Sequence, residues 1–182
     1  MTEEQFESLK TDFIENIKSY VLEFGSIFPH ISIFAMEKEP KKDADKVKPA
    51  LIHIPIPDEL MVDEEGKETF VNEIFPEIAK QVKKIYDSKA LAWTSEAWIR
   101  TAKKPEQLNN WQEMPIEKEV IVITLEFENR NEFTMYEIKR HGKQITSEGD
   151  MVDKIELIEC EFSSQPEKIQ GRFAGLFAKL KD

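Results

Sequence analysis

Phe6, Leu9, Phe13, Ile17, Tyr20, Val21 and Phe24 recur at steps of three and four, with Glu, Lys and Asp filling much of the space between them. That period lays one apolar stripe along an amphipathic helix. Thr2 and Gln5 stand at capping-box spacing before it, and Gly25 follows its last apolar position, where a left-handed C-terminal cap favours glycine. The apolar run 31–36 after Pro29 predicts a strand. Nine of the twelve residues 37–48 are charged, which predicts a loop. Residues 51–57 read as a second strand; Pro55 has no amide to donate, so this strand belongs at a sheet edge. Residues 58–68 carry six acids and Gly66, and predict a mobile, solvated loop. Helical spacing returns with Val71, Ile74, Phe75, Ile78, Val82 and Ile85. Pro76 inside that pattern predicts a kink, or a short turn followed by a restart.

Further along, residues 89–101 predict a long strand, followed by a loop that Trp111 and Met114 tack to the core. Residues 120–127 hold Val, Ile and Thr at nearly every place, the mark of a central strand covered on both faces. Residues 128–132 read as a hairpin connection, and 133–140 as the partner strand. His141-Gly142-Lys143 predicts another turn, and Ile155, Leu157, Ile158, Cys160 and Phe162 a last strand. Ser164 and Glu167 form a second capping-box signature for a terminal helix over 164–181. Gly171 and Gly175 fall one turn apart on it, which predicts a second backbone passing close. The reading is a single α+β domain, residues 1–182. It has an antiparallel sheet of five to six strands with N-terminal, middle and C-terminal helices. Its topology looks similar to that of roadblock and profilin-like domains, a likeness of fold that carries no function.

Composition bounds the function classes. The 182 residues are 40% apolar, 34% charged and 10% aromatic, enough to enclose a core. With 25 basic and 36 acidic side chains the net charge is −11, a field that repels nucleic acid and anionic membrane. No run reaches the roughly 18 apolar residues of a membrane span. The acidic N-terminus does not read as a secretory signal. The single cysteine, Cys160, excludes an intrachain disulfide and suits a reducing, cytoplasmic setting.

No motif for catalysis or for cradling a cofactor stands in the chain: GxxxxGK, GxGxxG, HExxH, GxSxG and CxxC are all missing. The three histidines, His30, His53 and His141, are scattered, so neither a metal site nor a cofactor is expected. Cys160 alternates with Glu159 and Glu161 and reads as a buried, inert thiol. The pairs Glu126/Glu128 and Glu159/Glu161 read as the solvated edge of a sheet. The most individual segment is Trp93-Thr94-Ser95-Glu96-Ala97-Trp98-Ile99-Arg100. Strand alternation puts Thr94, Glu96, Trp98 and Arg100 on one face, and Trp93 with Ser95 on the other. Glu96, Trp98 and Arg100, with Trp93 and His53, are the candidate ligand-binding residues. The plainer alternative pairs Glu96 with Arg100 beneath the indole.

The Ser95-Glu96-Ala97-Trp98 run, followed by an aliphatic residue, a base and a hairpin, resembles a group of uncharacterised bacterial and phage-encoded small proteins over residues 91–140. That resemblance implies a bacterial or phage origin and no activity. Three expectations follow. The first is a non-enzymatic interaction or regulatory module, whose partner is another protein or a second copy, engaged through the edge strand or the terminal helix. The second is a small-molecule binder or enzyme with its pocket around Trp98 and Glu96. The third is an acidic inhibitor that meets a basic partner.

Overall fold

The structure, a computed structural model, describes residues 1–38, 49–100, 114–161 and 175–181. Helix α1 (Glu3–Phe24) starts as its sequence predicts. The Gln5 amide donates to Thr2 Oγ1 at 3.2 Å and the Thr2 amide to Gln5 Oε1 at 2.9 Å. It ends at Gly25, whose φ of 78° turns the chain left-handed while its amide donates to Val21 O at 2.8 Å.

Strands β1 (His30–Glu37) and β2 (Pro49–Pro55) form a hairpin. A helical stretch follows: a 3-10 turn at Asp58–Leu60, α2 (Glu64–Thr69), a π turn at Phe70–Ile74 and α3 (Phe75–Ile85). Then come β3 (Tyr86–Ile99), β4 (Lys118–Glu126), β5 (Asn131–Ile145), β6 (Met151–Glu159) and α4 (Leu176–Lys181). All pairings are antiparallel and the order is β2-β1-β3-β4-β5-β6 in one curled six-stranded sheet, so the fold is α+β with N-terminal, middle and C-terminal helices. Pro55 does stand in an outermost strand, and β4 lies in the interior of the sheet.

The two sheet faces hold separate cores. Phe6, Phe13, Ile17 and Val21 of α1 bury against Phe34, Ala92, Ile121, Ile123 and Leu125 on one face. Phe70, Phe75, Ala79 and Val82, with Leu176 and Leu180 of α4, bury against Ile31, Ile33, Ile54 and Leu91 on the other. Strand β1 is therefore packed from both sides. Its alternate residues His30, Ser32 and Phe34 face α1, while Ile31, Ile33 and Ala35 face α3.

Several expectations need correction. Within residues 58–68, expected as a mobile loop, 58–60 form a 3-10 turn and 64–68 lie in α2. Asp63 Oδ1 accepts from the Gly66 amide at 2.8 Å, and Glu64 and Glu65 sit at the positive end of the helix dipole. Pro76 stands in the first turn of α3, the restart that was one of the two expectations, after a π turn that the sequence did not predict. It cannot donate to a carbonyl four residues back, and the backbone widens into the π turn just before it, with the Phe75 amide reaching Phe70 O. Gly142 is not at a turn but inside β5. Its φ of 65° absorbs a bulge where the β5–β6 register shifts between Arg140 and Lys143. The turn lies later, where Thr146 Oγ1 accepts from the Asp150 amide at 3.1 Å. Gly175 is not a close-approach residue on a helix. It precedes α4 with a φ of 80°, and no described residue lies within 4 Å of where its Cβ would be. Gly171, the Ser164/Glu167 signature, Trp111 and most of the loop at 37–48 lie outside the described residues.

Candidate functional site

The β1–β2 register sets Ser32 opposite His53 and His30 opposite Pro55, all facing α1. Phe13, Ile17 and Tyr20, one helical stripe, close over them from above, and the connection from Gly25 to β1 brings Ile27 and Phe28 to the side. A cavity of about 470 Å³ remains between helix and hairpin. That is within the range of small-molecule sites, ~300–1,000 Å³. Its walls are mostly aromatic and aliphatic. The Phe13 and His53 rings stack at 6.2 Å, and Phe13 meets His30 edge-on at 6.4 Å. The His30 and His53 rings meet at 5.8 Å. Phe28, 60% exposed, and Tyr20, 39% exposed, stand at the mouth. Among the described residues the lining includes no carboxylate and no lysine or arginine; Asn16, Tyr20 and the two imidazoles carry its polar side-chain atoms.

The imidazoles are held by their Nδ1 atoms. His30 Nδ1 lies 2.9 Å from Phe28 O, and a carbonyl only accepts, so this nitrogen carries the proton. His53 Nδ1 lies 2.8 Å from Ser32 Oγ. Ser32 is fully buried, and His53 is the one acceptor within its reach among the described residues, so the hydroxyl donates to Nδ1. His53 then carries its own proton on Nε2. Burial pushes both imidazoles below the ordinary 6.5, His30 despite the Phe28 carbonyl and further lowered by His53. Both rings are therefore neutral at physiological pH.

The pH dependence has a definite sign. A folded pKa below the unfolded one means stability that is present above 6.5 and lost as pH falls through the folded value. Glu96 and Glu126, raised by burial, act oppositely: their contribution is present below 4.5 and lost as pH rises. The double substitution His30→Phe/His53→Phe leaves those acids in place. Its melting temperature is expected to fall less than that of the native chain between about pH 7.5 and about pH 5. Parallel profiles for the two proteins would refute the assignment.

The Ser32–His53 pair has the spacing of a nucleophile and its base, but its surroundings do not complete such a site. Ser32 is 0% exposed behind the imidazole, and no carboxylate among the described residues orients Nε2. The pair fixes a tautomer instead. Nor do three or more metal-ligating side chains cluster among the described residues.

A second hollow, of about 350 Å³, lies across the Ile27–Phe28 segment from the first, walled by Glu96, Ala97, Trp98 and Asp58. Here Glu96 does not pair with Arg100. Its Oε1 accepts from the Ile27 amide at 2.8 Å, and burial raises its carboxyl while that amide and the charge of Arg140 pull it back. Trp98 is 64% exposed at the rim. Arg100 donates to Met114 O. Trp93 packs on the opposite sheet face, against the core under α3 and α4. The structure thus divides the five residues singled out in the sequence. Glu96 and Trp98 share the smaller hollow, His53 lines the larger one, and Trp93 and Arg100 stand apart.

Ser32, Phe13 and Phe28 were not legible as partners of the histidines, because only the hairpin register and the α1 docking angle bring them together. Another carboxylate also departs from its reading. Glu126, 5% exposed, accepts from the amides of Gly175 at 2.8 Å and Phe177 at 2.9 Å, so it anchors α4 rather than edging the sheet in solvent. Glu128, Glu159 and Glu161 are exposed, and Cys160 is half-buried. No described helix is long and apolar enough to cross a membrane. Compared with protein-family models, curated proteins and solved structures, the chain matches none, so the cavity's own geometry carries the functional argument.

Proposed function

We propose that the protein binds a small apolar molecule in the cavity between α1 and the β1–β2 hairpin. The observation that carries this reading is the cavity of about 470 Å³ with its aromatic walls and two neutral imidazoles. It joins a large apolar area to a few fixed polar atoms, the usual composition of a ligand site. It includes His53 of the expected residues, and moves the pocket away from Trp98 and Glu96.

Leu51 lines the cavity wall next to His53, and Leu51→Trp fills the space with an indole. Neutral aromatic fragments are expected to shift the His30 and His53 imidazole NMR signals of the native protein and to raise its melting temperature. The stabilisation is about 2.7 kcal/mol at a hundredfold excess over Kd. The tryptophan variant is expected to fold and show neither effect. Unmoved imidazole signals, or shifts that persist in the filled variant, would sink the proposal.

A second reading, an interaction surface for another protein, is supported by one observation. Phe28 and Trp98, 60% and 64% exposed, flank the smaller hollow, and exposed aromatics of this kind serve as anchors in interfaces.

A further inference from the structure

We infer that the ligand of this cavity is a neutral, flat, hydroxyl-bearing molecule of the phenol or naphthol class, whose oxygen sits between the two Nε2 atoms. The inference rests on the reading of the cavity as a ligand site and adds the chemistry of what fills it.

The Nδ1 atoms of both imidazoles are already committed. His30 gives its Nδ1 proton to Phe28 O, so its Nε2 is an acceptor. His53 receives the Ser32 hydroxyl on Nδ1, so its Nε2–H is a donor. Both imidazoles line the cavity with their ring centroids 5.8 Å apart, one with an acceptor and the other with a donor at Nε2. A hydroxyl is the smallest group that satisfies both at once, donating its proton to His30 and accepting from His53. An ether satisfies only the donor. A carboxylate faces the acceptor lone pair of His30 and meets no cation in the described lining. Phe13, Ile17, Tyr20 and Phe28 supply much of the remaining wall, which suits a flat ring system.

The test uses three ring-matched probes: 2-naphthol, 2-methoxynaphthalene and 2-naphthoate. Each is titrated into the intact chain at about pH 7.5, where both rings are neutral. Affinity is read by naphthalene fluorescence and tautomer state by imidazole 15N shifts. The naphthol is expected to bind about tenfold tighter than the ether, since one partnered buried nitrogen is otherwise left unsatisfied. The naphthoate is expected to bind weakest. Ser32→Ala removes the group that fixes the His53 tautomer and leaves the cavity lining in place. It is expected to mix the two tautomers in the 15N spectrum and to shrink the naphthol-over-ether preference, while ether affinity stays the same. Equal binding of naphthol and ether, with imidazole shifts for both, would overturn the hydroxyl assignment and leave the apolar site standing. Tightest binding by the naphthoate would overturn the neutral class. If none of the three moves either imidazole, the ligand-site reading itself fails.

Discussion

Gly25→Val is expected to cost about 3–5 kcal/mol, a large part of the roughly 5–15 kcal/mol that holds a domain together. Two independent penalties meet at this position. The backbone lies at φ 78°, where a β-branched side chain is strained. In addition, a Cβ there would stand 3.1 Å from Asp153 O and 3.3 Å from Asp153 N. Those are backbone atoms of β6, held in the sheet by the Lys143–Asp153 pairing, so they have little room to yield. The position cannot shift away either, because Arg140 Nη1 donates to Gly25 O at 2.9 Å while the same guanidinium grips Glu119 at 2.7 and 2.8 Å. Gly149 separates the two penalties. Its φ is 92°, and nothing among the described residues lies within 4 Å of where its Cβ would be. Urea denaturation of Gly149→Val is expected to show the conformational strain alone. Equal losses for the two variants would show that the contact of α1 with β6 contributes nothing.

Glu126→Ala is expected to cost about 2–4 kcal/mol and to release α4. The carboxylate accepts from two amides at the start of α4 on the side of the sheet where that helix supplies Leu176, Phe177 and Leu180 to the core. Alanine strands the Phe177 amide in a buried place and leaves that of Gly175 without its partner at the margin. Glu126→Gln keeps the shape but turns a donor toward one of them, so an intermediate loss is expected. Hydrogen exchange at the Phe177 amide is the measurement. It should accelerate in both variants, and most in alanine. Protection equal to that of the native chain would mean that the apolar contacts of α4 hold it without the carboxylate.

Glu126 also shows where the sequence stops being informative. Strand alternation between Leu125 and Phe127 puts it on the opposite side from both, and a carboxylate there reads as solvent-facing. What buries it is α4, nearly fifty residues later, and nothing local marks that partner. By contrast α1 was legible in full, because its stripe, capping box and terminal glycine are all set by residues within the element. The edge position of β2 was legible from Pro55, since the lack of a donor is a property of one residue. The π turn was half legible: Pro76 announced a disturbance, but its form depends on how the helix meets the sheet. In the cavity, the imidazoles were visible and their arrangement was not. The Ser32–His53 bond depends on a register, and the Phe13 stack on how one helix lies across a sheet. The segment around Trp98 drew attention through its unusual residues, yet the structure uses Glu96 to hold the Ile27 amide and so keep the two hollows apart.

An open antiparallel sheet is also a template on which further strands can grow, and the outermost strands here are poorly suited to that. Strand β2 begins and ends with proline, so both of its ends lack a donor for an incoming chain. Strand β6 carries Asp153, Lys154, Glu156 and Glu159 along its nine residues, so an added strand would have to pair alongside charges. Together with a net charge of −11, these two borders work against copies of the chain joining edge to edge and growing into fibres at high concentration.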